Sequence, residues 1–160
     1  MEAEASDTMK LAVVDIDDTL LMGGRLSRLF WHFSLTFQRM GRRLQKVNGR
    51  LLDQLPEYDT VVILSGRDKH EIQFTQSQLR KAGIRFDKLI CCPRKDLINK
   101  WKMSVVDSLD KENRIVWIDD IFEENLLKGA LLQLHPNVTT IPPTRTALVK
   151  NGRSSELEWL

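Results

Sequence analysis

The sequence predicts an α/β protein, a three-layer domain in which helices cover both faces of a doubly wound parallel sheet. Short, continuous apolar runs alternate along the chain with segments of helical period, and such runs are typical of strands that are buried on both faces. The 160 residues are 42% hydrophobic and 29% charged. This is the composition of one ordinary globular domain, and it excludes a disordered or fibrous chain.

Five apolar runs are the predicted strands of this sheet. They occupy residues 11–16, 61–64, 88–91, 115–118 and 138–141, of which the last is the least apolar. The segments between them are long enough to hold the crossover helices that parallel strands require. We therefore expect each strand to be followed by a helix that packs back onto the sheet.

Helical periodicity predicts four helices between the strands. An apolar stripe with spacings of three and four residues predicts a basic amphipathic helix over much of residues 26–55, with Gly41 and Gly49 as points where it can break. The other three predicted helices cover residues 71–82, 97–109 and 122–133.

The chain shows no boundary that would divide it. Because no linker is rich in Gly, Ser or Pro, we expect a single domain over residues 10–150, with mobile tails at 1–9 and 151–160. The acidic start lacks the features of a secretory signal peptide, and no apolar run is long enough to be a transmembrane segment. The two cysteines, Cys91 and Cys92, are adjacent and are expected to be buried as small apolar residues. These features predict a cytoplasmic protein.

Carboxylates, hydroxyls and a glycine follow three of the predicted strands. They are Asp15, Asp17, Asp18 and Thr19 after the first run, Ser65, Gly66 and Arg67 after the second, and Asp119 and Asp120 after the fourth. Parallel sheets form their ligand sites at the carboxyl ends of the strands. Five carboxylates gathered there would repel one another unless a cation neutralised them, and an all-oxygen ligand set favours Mg²⁺. Such a cluster, with backbone amides and a lysine nearby, predicts a phosphate site.

Each of these motifs has an ordinary structural explanation when it is taken alone. Asp119 and Asp120 after a strand are typical of a turn or a helix cap. Ser65-Gly66-Arg67 before a helix is also typical of a cap. Their joint occurrence at three strand ends favours a functional site.

The motifs VVDIDDTLL and VVILSGRD, a lysine on a later helix and IVWIDD resemble, in this order, the four motifs of the haloacid dehalogenase-like (HAD) phosphohydrolases. The resemblance covers about residues 11–141. It implies a HAD-like Rossmann-type fold and a Mg²⁺-dependent phosphatase, a phosphoric monoester hydrolase that forms an aspartyl-phosphate intermediate. The pattern is also similar to that of the phosphatase domains of polynucleotide kinase-phosphatases, which favours a nucleic-acid end as the substrate.

The resemblance also implies a role for each motif residue. Asp15 would be the nucleophile, and Asp17 would be the general acid and then the general base. The catalytic lysine would be Lys102, with Lys100 as the main alternative and Lys95 as a third.

The remaining motif residues would bind phosphate and metal. Ser65 and the amide of Gly66 would hold the phosphoryl group, Arg67 would arrange their loop, and Thr19 would position the loop of the first motif. The implied Mg²⁺ ligands are Asp15, the backbone carbonyl of Asp17, Asp119 and Asp120.

The motif spacing leaves no room for a large cap domain. Only 50 residues separate Asp15 from Ser65, and 37 separate Ser65 from Lys102. The resemblance therefore implies an open site suited to a large phosphorylated substrate. The alternatives are a small phosphoester, a phosphoprotein or a lipid phosphate, or a non-catalytic binding module that keeps the fold.

A basic segment lies beside these acidic motifs. Residues 21–52 contain seven Lys and Arg and no acid. Within it Arg39, Arg42 and Arg43 are the candidate contacts to a nucleic-acid backbone. The alternatives are a solvated basic helix face, a homodimer contact through the long amphipathic helix, and an anionic membrane surface.

Overall fold

The computed structural model describes residues 8–93, 95–122 and 135–143, in which seven strands and five α-helices are present. In chain order the strands are β1 Lys10–Val14, β2 Leu21–Met22, β3 Lys46–Val47, β4 Thr60–Asp68, β5 Lys88–Cys92, β6 Arg114–Ile118 and β7 Val138–Ile141. The helices are α1 Arg25–Leu29, α2 Leu35–Arg43, α3 Gly49–Gln54, α4 Ile72–Lys81 and α5 Ile98–Asp107.

Five of the strands form one parallel sheet with the order β5-β4-β1-β6-β7. The chain moves outward from β1 on one side and then returns to its other side, so β1 lies at the point where the strand order reverses. This is the Rossmann-like, doubly wound arrangement expected from the sequence. It brings the carboxyl ends of β1, β4 and β6 together, where ligands bind in such sheets.

Apolar cores cover both faces of the sheet. On one face Val14 and Ile63 pack with Leu51 and Leu79 from α3 and α4, and on the other face Trp117 packs with Val106 from α5. Successive strand residues point to opposite faces, which is why a run such as β1 must be apolar throughout. The sheet between two helical layers confirms the three-layer prediction.

The sequence located most of the regular elements correctly. All five predicted strands of the main sheet are present, and the helices predicted at 71–82 and 97–109 are α4 and α5. Cys91 and Cys92 are buried in β5, as expected, and burial raises the pKa of the Cys91 thiol to about 11. The helix predicted at 122–133 lies outside the described residues except at its first position, and the C-terminal tail and most of the N-terminal one lie outside them too. Among the described helices, none is both long and apolar enough to cross a membrane.

The prediction of one helix over much of residues 26–55 is wrong, and Gly41, named as a possible break, lies inside α2. This segment, which we call the helical arm (residues 25–54), contains α1, a 3₁₀ turn at Phe30–His32, α2, the short strand β3, and α3. Its first two helices fold back on each other at Gly41, where a Cβ atom would lie 2.7 Å from the carbonyl oxygen of Ser27 and 2.9 Å from Cβ of Phe30. After α2, pairing of β3 with β2 ends the helical path, and the side chain of Asn48 caps α3.

Helix α2 turns its polar side toward the domain. Arg42 is buried, whereas four apolar residues of the same stretch are 45 to 53% exposed: Phe33, Phe37, Met40 and Leu44. The apolar stripe is thus divided, because only its later members, such as Leu51 and Leu55, reach the core. A contact with a second copy through the exposed members stays a prediction.

Replacement of Gly41 by alanine tests the close approach of α1 and α2. Alanine stabilises a helix by about 1 kcal/mol relative to glycine. At Gly41, however, the clash of the new Cβ with the Ser27 backbone should cost about 1–3 kcal/mol through overpacking, which outweighs that gain. We expect Gly41→Ala to lower the midpoint of urea unfolding. Gly49→Ala, at a position with nothing within 4 Å of the new Cβ, is the matched control and should not lower it. Equal stability of the two variants would contradict the packing described here.

Candidate active site

The register of the sheet places the acidic motifs side by side. Val14 pairs with Ile118, so Asp15 and Asp119 both follow directly on paired residues of β1 and β6. The amide of Asp15 donates to the carbonyl of Ile118 at 3.0 Å, which continues the ladder by one bond. Two carboxylates are thereby held next to each other at the carboxyl ends of the two strands.

Three carboxylates and one ammonium group form the centre of the site. Oxygen atoms of Asp15, Asp119 and Asp120 lie within 4.8 Å of one another. The Nζ atom of Lys102, carried by α5, lies 2.8 Å from Oδ1 of Asp15 and 2.7 Å from Oδ2 of Asp119. Lys102 is buried, whereas the side chain of the alternative candidate Lys100 is exposed. The structure therefore brings Lys102, and not Lys100, into the cluster.

The Asp119 carboxylate has further donors that the sequence did not reveal. Trp117 donates its indole N–H to Oδ2 of Asp119 at 3.2 Å, and the amide of Ile121 donates to Oδ1 at 3.3 Å. Trp117 precedes Asp119 by two residues along a strand, so both side chains point to the same side. That spacing was the available sequence signal for this contact.

Burial controls the protonation of the cluster. Burial, opposed by the charge of Lys102, raises the pKa of Asp15 to about 7 and that of Asp119 to about 6. It also raises the pKa of Asp120, together with the negative charge of Asp15. Burial acts to lower the pKa of Lys102, but the two carboxylates outweigh it and hold that pKa above its ordinary range. One lysine is thus surrounded by more carboxylates than it can neutralise, and this hard oxygen donor set fits Mg²⁺.

Thr19 ties the first and last motifs together. Its hydroxyl donates to Oδ2 of Asp15 at 3.4 Å and accepts from the amide of Asp120 at 3.1 Å. The preceding residue, Asp18, has a φ of 59°, in the left-handed region that aspartate tolerates better than most residues. The carboxylate of Asp18 accepts from the amide of Gly23 at 3.4 Å, so it shapes the turn after β1.

The second motif forms an irregularity in β4. Ser65 pairs with Cys91 and Asp68 pairs with Cys92, so the residues between them, Gly66 and Arg67, have no counterparts on β5. The amide of Arg67 donates to the hydroxyl of Ser65 at 3.2 Å. A Cβ atom on Gly66 would lie 3.1 Å from Ile98, which favours glycine there.

The side chain of Arg67 binds Asp17. Its Nε and Nη2 atoms donate to the two oxygens of the Asp17 carboxylate at 2.9 and 2.7 Å, and Nε2 of Gln45 donates to Oδ1 at 2.7 Å. Burial acts to raise the pKa of Asp17, but the charge and hydrogen bonds of Arg67, with that of Gln45, hold it below its ordinary value. Two aspartates only two residues apart therefore have pKa values shifted in opposite directions.

Two glutamines complete this network, and neither has a motif that would have identified it. Gln45 follows α2 and also accepts from Nη2 of Arg67 at 3.0 Å. Gln78, on α4, accepts from Nη1 of Arg67 at 2.7 Å and donates to the backbone carbonyl of Arg42. The helical arm is thus hydrogen-bonded directly to the second motif and to Asp17.

The three arginines predicted to contact a nucleic-acid backbone lie in two different environments. Arg42 is buried and forms an ion pair with Glu71, whose side chain is also buried, so its prediction as a nucleic-acid contact is wrong. The cause is the orientation of α2, which turns this position toward α4. Arg39 and Arg43 instead lie over the ring of Phe74, with their guanidinium carbons 5.5 and 5.9 Å from its centroid, and Arg43 is exposed.

The fold and the site together define a doubly wound α/β protein with a lysine and carboxylate cluster at the switch point of its sheet. A chain in the solved structure of the Pnkp1/Rnl/Hen1 complex is similar to it, with a TM-score of 0.56 and 19% identity over 86% of this chain and 47% of that chain. A chain in the structure of the Pnkp1/Rnl/Hen1 RNA repair complex gives a TM-score of 0.57, with 19% identity over 86% and 43% of the two chains.

The present chain spans less than half the length of both of these chains. At 19% identity the likeness shows a shared fold. No protein-family model and no curated protein matches the sequence.

The raised pKa values of the cluster predict how stability depends on pH without metal. Asp15 and Asp119 bind protons more tightly in the folded state, so their contribution to stability is complete below about pH 4 and is lost as pH rises toward about 7. In EDTA, we expect the free energy of unfolding of the wild type to fall between pH 5 and pH 8, and to fall less in Asp15→Asn. Asp107→Asn, which alters an exposed carboxyl on α5, should behave as the wild type. A wild-type profile in Asp15→Asn, measured by urea unfolding, would contradict this.

Proposed function

We propose that this protein is a Mg²⁺-dependent phosphatase of the HAD type, which removes a terminal phosphate from a nucleic acid through an aspartyl-phosphate intermediate. The observation that carries the proposal is the buried Lys102 ammonium group between Asp15 and Asp119, with Asp120 adjacent, at the carboxyl ends of β1 and β6. The order of the four sequence motifs along this fold supports it.

The first motif supplies the two aspartates that the proposed chemistry needs. Asp15 would attack phosphorus, and Lys102 would offset the charge of both nucleophile and phosphate. Asp17 would give a proton to the leaving oxygen and later take one from water. Its hydrogen bonds with Arg67 and Gln45 support the second role, because they favour the carboxylate form that a base requires.

The remaining groups would bind the phosphate and the metal. Ser65 and the amide of Gly66, at the irregularity of β4, would hold the phosphoryl oxygens. Asp15, the backbone carbonyl of Asp17, Asp119 and Asp120 would hold Mg²⁺. When bound, Mg²⁺ would supply positive charge to the phosphoryl group during its transfer.

A nucleic-acid substrate is supported by the site's surroundings. Arg39 and Arg43 are held over Phe74 on α4, one helical turn before Gln78, which contacts Arg67. We propose that these two arginines contact the phosphate backbone leading to the site. The structural neighbours belong to a complex described as an RNA repair complex, which supports the same substrate class.

The free, buried cysteines are compatible with a reducing compartment, and we propose the cytoplasm as the location of the protein.

An assembly role is the second candidate, and the exposed apolar residues of α2 and the turn before it favour it. Phe33, Phe37, Met40 and Leu44 are about half exposed. They would form the contact of a homodimer through α2. A dimeric mass in solution would support it.

A pair of lysine variants tests the proposed chemistry. Using p-nitrophenyl phosphate, we expect Asp15→Asn and Lys102→Met each to lower kcat by roughly 10³-fold or more, since they remove the nucleophile or its neutralising charge. Lys100→Met, two residues away and exposed, is the matched control and should retain activity.

Removal of the metal tests the proposed Mg²⁺ site. EDTA should abolish turnover, Mg²⁺ should restore it, and Ca²⁺ should restore it poorly. Full activity in Asp15→Asn or in EDTA would contradict the proposal.

The substrate class is tested by a double variant of the arm. Arg39→Ala with Arg43→Ala should weaken binding to a single-stranded oligonucleotide and flatten its logarithmic salt dependence by up to about 1.4, for two lost phosphate contacts. Hydrolysis of p-nitrophenyl phosphate should be unchanged. Arg80→Ala with Arg85→Ala removes the same charge from exposed positions elsewhere and is the control. An unaltered salt slope in the arm variant would remove the nucleic-acid proposal and leave the phosphatase.

A further inference from the structure

Gln45 contacts the acid site although it lies outside every catalytic motif. Its Nε2 atom donates to Oδ1 of Asp17 at 2.7 Å, and its Oε1 atom accepts from Nη2 of Arg67 at 3.0 Å. The side-chain amide thus completes a triangle with the carboxylate and the guanidinium group. Because an amide carries no charge, it can bind both ions at once without unbalancing the pair.

The end of α2, just before Gln45, is held in place by contacts with α4 and the residue before it. The ion pair of Arg42 with Glu71 fixes α2 to the start of α4, and Gln78 donates to the carbonyl of Arg42. The backbone amide of Gln45 also donates to the carbonyl of Arg42, at 3.2 Å. Such contacts restrict where the Gln45 side chain can point, as a positioning group requires.

We propose that Gln45 is a positioning residue of this phosphatase, which holds the Asp17 carboxyl group in the orientation for transfer of its proton to the leaving group. The inference rests on the proposed function. Arg67 binds both oxygens of Asp17 from one side, and the third hydrogen bond, from Gln45, fixes the rotation of the carboxyl plane. The arm is therefore part of the acid machinery as well as a flanking surface.

The step in which this matters is the first phosphoryl transfer. The bond from Asp15 to phosphorus forms while the bond from phosphorus to the ester oxygen breaks, and the proton of the Asp17 carboxyl group moves to that oxygen. Asp17 is then the carboxylate seen bound to Arg67 and Gln45. An alkoxide leaving group needs this proton, whereas p-nitrophenolate leaves readily without it, so misplacement of Asp17 should affect alkyl esters selectively.

The test compares two esters in Gln45→Met, which removes the amide and keeps the length of the side chain. We expect kcat/KM for glycerol 2-phosphate to fall about tenfold or more, within the range that a general acid contributes. For p-nitrophenyl phosphate we expect a change of less than about twofold. The ratio kcat/KM is used because it reports the steps through the first phosphoryl transfer.

Gln38→Met is the matched control. Gln38 lies on α2, the helix that Gln45 follows, but its side-chain amide donates to the carbonyls of Trp31 and Phe33 within the arm, at 3.2 and 3.0 Å. Its replacement should change both esters equally or not at all. Gln45→Glu, which places a carboxylate against Asp17, should show the selective loss more strongly. Thermal unfolding of each variant verifies that the fold is retained.

Each outcome decides the proposal. An equal loss for both esters in Gln45→Met would mean that Gln45 only supports the arm, and no loss would mean that Asp17 is positioned without it. Either result overturns the positioning role and leaves the phosphatase intact. If the wild type hydrolyses neither ester with Mg²⁺, the proposed function is itself wrong and the positioning role falls with it.

Discussion

The buried ion pairs of Lys102 with Asp15 and Asp119 are the interaction on which the rest of this structure depends. The Lys102 ammonium group is shared by Asp15 and Asp119, whose side chains are no more than 6% exposed. Loss of one partner of a buried ion pair costs about 3–5 kcal/mol, because an uncompensated charge stays behind. The contacts of Lys102 with both aspartates constrain the parallel register of β1 and β6 and the approach of α5 over the sheet. The position of Trp117 is constrained as well, because its indole N–H donates to Asp119. These elements meet where the strand order reverses, so the same geometry that holds the buried charges together also forms the candidate active site.

A second polar network gives the neighbouring aspartate a different environment. Asp15 is surrounded by buried carboxylates and one lysine, and its pKa is raised. Asp17 lies only two residues further on, but Arg67 and Gln45 donate three hydrogen bonds to it and lower its pKa. Two titratable groups of one site whose pKa values are shifted apart by their surroundings are typical of a candidate functional site. This contrast is built by two different parts of the chain, the sheet ends for Asp15 and the helical arm for Asp17.

The network around Asp17 fixes which side of α2 faces the domain. Helix α2 must present Arg42 to Glu71 and then lead to Gln45, and the opposite side of the same helix is apolar. Both sides cannot face the domain, and the buried ion pair and hydrogen bonds occupy the inner side. Phe37, Met40 and Leu44 consequently remain about half exposed. The inverted orientation connects the network around Asp17 to an exposed apolar surface through a single helix of nine residues.

Much of this protein was determined by its sequence alone. Strands such as β1 and β6 are covered on both faces and must be apolar throughout, so their positions were readable, and parallel pairing then required Asp15 and Asp119 to meet. The folding of α1 against α2, the burial of Arg42 and the contact of Gln45 with Asp17 were decided only by the tertiary structure. Helical periodicity tells which side chains share a face, but it does not tell which face turns inward. That choice depends on partners such as Glu71 and Arg67, which are distant in sequence and meet α2 only once the sheet has formed.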